Sequence, residues 1–472
     1  MPFARAPGAS AIRAVVGAVP RSVWLDCPER PEAADPLVEQ TTGDLLVIGA
    51  GYTGLWTALK AKEADPARDV VVLEGARAGW AASGRNGGFC SASLTHGLAN
   101  GLRHWPDELV ALNVLGRANL EGLALDLARF DIRCDFRRSG ELDVATEEYQ
   151  LAELREAPAI AANYGDTLEF LGRDEIQALV HSPTYRGAVH DRTGVALVDP
   201  AKLAWGLRRV CLDLGVRLFE QSPVTSIERS GAGLRATTSA GSVTASRIAL
   251  ATNAFPPLLK RLSNFVIPVY DYAIATEPLT SDQWAAIGWR DGQGIGDSGN
   301  QFHYYRPTAD GRILFGGYDA MYYGHNAVGA RFDQRKESFE LLAEHFFQTL
   351  PQLAGVSFTH AWGGAIDTSS RFSAFWGTAY DGRLAYGLGY TGLGVGATRF
   401  SADVLLDLLD GVQSERSALA MVSKPPLPFP PEPLRRIGVD ATRWSLDRAD
   451  NNGGRRNLWL RALDALGLGF DT

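Results

Sequence analysis

Four cysteines in 472 residues, at Cys27, Cys90, Cys134 and Cys211, leave little for disulfide or zinc chemistry. No CxxC pair occurs and no histidine spacing suits zinc, so reduced thiols, no metal and a cytoplasmic site are expected. An excess of positive charge is also missing. Lys and Arg number 46 against 54 Asp and Glu, with no polybasic run, which argues against a nucleic-acid surface. No apolar stretch approaches the roughly 20 residues of a membrane span. The segment Met1–Pro20 loosely mimics an export signal, but Arg13 interrupts it. The Pro- and acid-rich residues up to Gln40 are expected to lie on the surface as an extended arm. Neither an internal repeat nor a low-complexity tract is present.

Glycine, by contrast, is abundant: 51 residues, as tight turns or close approaches to a ligand require. The chain is too long for one compact core and implies two packed domains.

Asp44-Leu-Leu-Val-Ile48 is a short apolar run ending in glycines, the pattern of a buried parallel strand. A helix follows over Tyr52–Glu63, and Asp69–Glu74 supplies a second strand. That βαβ unit sets an α/β fold class. Amphipathic helices dominate from Leu98 to Leu179, strands return from Gly187 to Phe255, and Ile267 to Phe358 alternates like an antiparallel sheet. Leu384 to Asp410 is again strand, glycine loop and helix. The expected domains interleave: 44–97, 187–262 and 359–425 form a Rossmann-like nucleotide domain, and 98–186 with 263–358 a substrate domain with an antiparallel sheet.

The first turn carries Gly49, Gly51 and Gly54 in GxGxxG spacing, with Tyr52 and Thr53 opening the helix, and Glu74 closes the second strand. Gly49 permits the tight turn, Gly51 lets a pyrophosphate approach the backbone, and Gly54 lets helix and strand pack closely. The helix N-terminus faces the phosphates with unpaired N–H groups, and Glu74 can accept from ribose hydroxyls. FAD and NAD share this fingerprint. Two further glycine-rich loops, Gly79–Gly88 and Gly387–Gly396, suit a long cofactor threaded through the protein and select FAD.

These motifs, with His303–Gly317 (HYYRPTADGRILFGG) and Trp362–Thr368 (WGGAIDT), resemble the flavin-dependent amine oxidases of the D-amino-acid oxidase superfamily. Within that group the gamma-glutamylputrescine oxidoreductase-like branch is nearest, and the resemblance spans about Asp44 to Asp410. It implies noncovalent FAD roofed by an antiparallel sheet. Ser83, Arg85, Asn86, Gly87 and Gly88 would line pyrophosphate and ring, and Val224 would contact the adenine. Gly389, Gly392, Leu393 and Gly394 would lie at the flavin N1/O2 edge, where donors stabilise the reduced ring.

The implied reaction takes a hydride from the carbon beside an amine nitrogen to flavin N5. Hydrolysis of the imine follows, with reoxidation by O2 or another acceptor. Relatives that oxidise amino acids place an arginine after the matching tryptophan. Here Asp367 occupies that segment, which favours a cationic amine unless Asp367 only caps a turn. The strand Gly311–Gly317 lacks the lysine that some relatives hold over the flavin, so oxidase and dehydrogenase both stay open. His303, Tyr305 and Asp367 are the catalytic candidates, and Tyr304 and Trp362 the substrate candidates. Alternation puts His303 and Tyr305 on one strand face and Tyr304 on the other. A nicotinamide-dependent flavoprotein would need a second nucleotide fingerprint, and none is present. A non-catalytic FAD-binding subunit is the remaining alternative. The basic segment Leu434–Arg461 is expected as a surface helix or a contact.

Overall fold

The computed structural model describes residues 3–468. Its centre is a parallel sheet in the order Leu384–Leu388, Ser242–Leu250, Gln40–Ile48, Val70–Leu73, Arg217–Phe219. Leu45 to Ile48 and Val70 to Leu73 are buried, as a parallel sheet covered on both faces demands. The first strand begins at Gln40, ahead of the expected Asp44, because Gln40–Gly43 pair with Ser242–Ala245. The Tyr52–Ala64 helix packs over the sheet beside the Gly394–Asp410 helix, its closest helical neighbour.

A second sheet runs Phe358–Thr368, Ile267–Thr276, Ile313–Gly317, His303–Pro307, Gly294–Asp297, Glu141–Ala145, Gly187–Asp191, Glu169–Leu171. All its pairings are antiparallel except that of Gly294–Asp297 with Glu141–Ala145. Two expected domain divisions shift. Gly187–Asp191 and residues 359–368 of the Phe358–Thr368 strand, assigned from sequence to the nucleotide domain, both pair in this second sheet. Their short apolar runs suit either sheet, and only pairing partners decide.

The sheet's two faces differ. Leu142, Val144, Tyr270, Tyr272, Ile274, Ile295, Tyr305 and Phe315 enter a core closed by the Lys336–Thr349 helix. Their neighbours Glu141, Asp143, Asp271, Gly296 and Tyr304 border a cavity between the two sheets.

The N-terminal arm is more than a surface appendage. Its helix Ala9–Val15 packs on the Lys336–Thr349 helix, and Val19 bridges to His360. Further along, Trp24 and Leu25 are buried. At the other end Leu434–Asp450 and Leu458–Ala465 form a helical pair. Asp450 anchors it, accepting from the amides of Asn300 at 3.1 Å and Gln301 at 3.0 Å. Among the described residues no helix is long and apolar enough to cross a membrane.

Candidate active site

One cavity of about 2130 Å³ runs from Gly49 and Glu74 past Ser83–Gly87 to Gly392–Gly394 and on to the C-terminal helices. That is roughly twice the upper end of ordinary ligand pockets, enough for a long cofactor and a substrate together.

The glycines build its nucleotide end. Gly49 has φ 106°, and a Cβ there would lie 2.4 Å from the Ala251 carbonyl oxygen. At Gly54 a Cβ would lie 1.8 Å from the Gly49 oxygen, so no side chain fits between helix and strand. Tyr52 donates its hydroxyl to the Pro200 carbonyl at 2.7 Å and its amide to Ser83 Oγ at 3.0 Å. Thr53 Oγ1 and Tyr390 Oη lie 2.8 Å apart, fastening this helix to the last glycine loop. Glu74 accepts from the Ala50 amide at 2.7 Å, the Ala76 amide at 2.9 Å and Trp80 Nε1 at 3.0 Å. Burial raises its carboxyl, and those donors oppose the shift. Pro223 and Val224 line the same end.

In the second loop the polar side chains shape the backbone. Asn86 Nδ2 donates to Ala82 O at 2.9 Å while its Oδ1 accepts from the Gly88 amide at 2.8 Å. Arg85 donates to Trp80 O at 3.0 Å and pairs with Asp333 at 2.5 Å. The arm clamps this loop from outside. Ser22 Oγ donates to Gly84 O at 2.9 Å and Trp24 Nε1 to Asn86 O at 3.0 Å. Gly87 and Gly88 leave room for Tyr304 and Arg306, whose atoms would lie 2.7 and 2.5 Å from an added Cβ. Arg306 is buried and donates to Val198 O at 2.6 Å and Gly88 O at 3.2 Å, a tie between sheet and loop. Trp362 likewise donates Nε1 to Arg85 O at 2.8 Å.

The third loop is held by Asp367. Its Oδ2 accepts the Gly389 amide at 2.6 Å, and its carbonyl accepts the Thr391 amide at 3.2 Å. Burial pushes this carboxyl up to about 7. Asp367 thus caps this loop, and it also lines the cavity. Gly392, with φ 89°, has no atom within 4 Å of an added Cβ, so the backbone there lies open for close approach.

His303 and Tyr305 are corrected by the structure. Both face the core and neither lines the cavity. His303 Nδ1 lies 2.7 Å from Asp297 and Nε2 lies 2.8 Å from His345 Nδ1. His345 Nε2 reaches the Ala4 carbonyl at 2.7 Å. Tyr305 shares a 2.7 Å hydrogen bond with Tyr185. Alternation grouped these residues correctly but could not say which group faced the ligand. Tyr304 does line the cavity, and its hydroxyl donates to Asp271 Oδ2 at 2.6 Å. Sequence reasoning missed Asp271, although an aspartate inside the apolar strand Ile267–Thr276 was a usable signal.

The cavity's charge balance is lopsided. Its arginines are all engaged: Arg85 with Asp333, Arg117 with Asp166, and Arg456 with Asp464. Arg435 donates to Asn326 and Asn264, and Arg443 to Met321 with Asp319 nearby. Glu141, Asp143 and Asp271 also line it, and burial raises the carboxyls of all three.

A βαβ nucleotide cradle opening onto a roofed cavity defines a dinucleotide-dependent oxidoreductase. The family described as FAD dependent oxidoreductase (DAO) matches residues 44–408, and the chain belongs to it. It is 34% identical over 407 residues to gamma-glutamylputrescine oxidoreductase of Escherichia coli K12, covering 84% of this chain and 90% of that one. Over 401 residues it is 27% identical to the probable oxidoreductase OrdL of Haemophilus influenzae, covering 83% and 88%. Its fold is similar to that of glycine oxidase from Geobacillus kaustophilus, with TM-score 0.66 and 18% identity, covering 79% and 96%. The protein is therefore an FAD-dependent oxidoreductase. The glycine-walled cradle fits that cofactor, because the first and second loops would be filled or strained by a Cβ at Gly49, Gly54 or Gly88.

Proposed function

We propose that the protein oxidises the C–N bond of a primary or secondary amine lacking an α-carboxylate. FAD bound in the cavity supplies the two-electron acceptor, and the imine product hydrolyses to a carbonyl compound. The observation that carries this reading is the engagement of every cavity arginine, which leaves no cation to clamp a substrate carboxylate.

The chain's own part is orientation and exclusion of water. Trp362, Tyr304 and Phe89 wall the site beside the Ser83–Gly88 loop. Gly392, Leu393 and Gly394 line the cavity's far wall, and Asp367 holds the start of their loop through the Gly389 amide. The Cys90 thiol supports a noncovalent cofactor. Cys90, near the second loop, is wholly buried, and burial pushes it up to about 12, so it is no nucleophile at neutral pH. All four cysteines are unpaired, in keeping with a cytoplasmic site and reduced thiols. Reoxidation by O2 is the favoured outcome of turnover, with another acceptor as the alternative.

Anaerobic mixing of the holoenzyme with alkylamines, diamines, acylated diamines, N-methyl amino acids and plain amino acids tests the reading. Bleaching of the flavin by amines supports it. Bleaching only by carboxylate-bearing substrates overturns it. Oxygen consumption after bleaching separates oxidase from dehydrogenase.

A further inference from the structure

The roof sheet carries a charge that the fold does not neutralise. Asp271 sits between Tyr270 and Tyr272, which both enter the core, and it borders the cavity. Its Oδ2 accepts the Tyr304 hydroxyl at 2.6 Å, and the amides of Tyr272 and Gly317 also support the carboxylate. Among the described residues no lysine or arginine pairs with it. Burial therefore lifts its carboxyl to about 6, with Asp319 adding to the lift, and it remains mostly ionised at neutral pH.

The other cavity carboxylates have different duties. Glu74 serves donors at Ala50, Ala76 and Trp80, Asp367 holds the third loop, and Asp166 is paired with Arg117. Asp297 serves His303, on the core side. Glu141 and Asp143 stand four strand positions from Asp271 across the sheet. At ~4.8 Å per position that is about 19 Å. Asp271 instead adjoins the nucleotide loop, because the Tyr304 ring that touches it also packs against Gly87.

A fold that sets a half-buried, uncompensated carboxylate at a cavity wall and orients it with a tyrosine hydroxyl has a binding site for a cation. We propose that Asp271 is the anion that receives an ammonium group of the substrate, with Tyr304 as its positioning residue. This rests on the amine reading above and narrows it to substrates that bind as cations. The ligand would complete an ion pair the folded chain leaves half made. Tyr304 fixes the orientation of the carboxylate, since its hydroxyl donates to Oδ2. Gly316 gives the tyrosine ring its room, since a Cβ there would lie 2.6 Å from the ring and its hydroxyl.

The test uses holoenzyme carrying D271N, D271A or Y304F, with flavin content and FAD Kd measured for each. Two unreactive probes, tetramethylammonium and its neutral isostere tert-butanol, are titrated as inhibitors or, failing turnover, as ligands that perturb the flavin spectrum. Expected for D271N is FAD Kd within about twofold of wild type and kcat/KM for the best amine down at least 100-fold, mostly in KM. Tetramethylammonium weakens by a similar factor while the alcohol is unchanged. Y304F loses about tenfold, since the carboxylate remains but turns more freely. Equal weakening of cation and alcohol, or none for either, overturns the anchor. If no amine bleaches the wild-type flavin, the amine reading fails by itself, and selective loss of tetramethylammonium in D271N still decides the role of Asp271.

Discussion

The Asp367 carboxylate grips the Gly389 amide at 2.6 Å, fastening the last residues of a roof-sheet strand to the loop beneath the cofactor cavity. One hydrogen bond thus joins the roof sheet to the loop that follows the Leu384–Leu388 strand.

That carboxyl sits near 7 against an ordinary 3.8, because it is buried. A raised carboxyl means the folded state holds a proton that the unfolded chain releases. Stability from this group is full below about pH 3.8 and is lost as pH rises through about 7. Asp367→Asn keeps an acceptor for Gly389 but removes the titration. The expected result is a flatter Tm profile for the apoprotein between pH 5 and 8 than wild type shows.

His345 titrates in the opposite sense. Burial is the main cause that brings its imidazole to about 3 from 6.5, and neighbouring His303 adds to it. Folding therefore loses support as pH falls below 6.5 towards 3. His345→Gln should soften acid unfolding. Because His303 and His345 lie off the cavity, kcat per bound flavin should stay within about twofold, which stopped-flow reduction would check.

Gly51 and Gly54 should respond differently to alanine. A Cβ at Gly54 meets backbone at 1.8 Å, whereas at Gly51 its nearest neighbour is Ser83 Oγ at 3.1 Å. Gly54→Ala should give insoluble or flavin-free protein, and Gly51→Ala a folded protein with FAD Kd raised tenfold or more. Flavin absorbance and thermal melts distinguish the two.

Asp450→Ala leaves the Asn300 and Gln301 amides without an acceptor. Losing such buried partners costs ~1–3 kcal/mol each when nothing replaces them. Amide hydrogen exchange across residues 434–465 should accelerate, with the parallel sheet unaffected.

The nucleotide half was legible in sequence because its signals are local. Gly49, Gly51, Gly54 and Glu74 fall within one βαβ unit, where spacing alone implies geometry. The roof sheet was not, since a strand's two-residue period groups His303 with Tyr305 but leaves the ligand-facing side to long-range packing. Here the Lys336–Thr349 helix covers the His303 side and leaves Tyr304 to the cavity. Asp271 stayed hidden for the same reason: its meaning comes from Tyr304, which is 33 residues away. The arm was missed because Trp24 has no periodic context, only a partner at Asn86.

The arm also constrains the order of assembly. Residues 19 to 25 dock on Gly84 and Asn86, 62 positions along the chain, and on the far more distant His360. The Val19–His360 contact closes a loop of over three hundred residues, an entropic step that comes late. The contacts of Ser22 with Gly84 and Trp24 with Asn86 span only 62 residues, so the clamp on the second glycine loop can close well before the arm docks on the roof sheet.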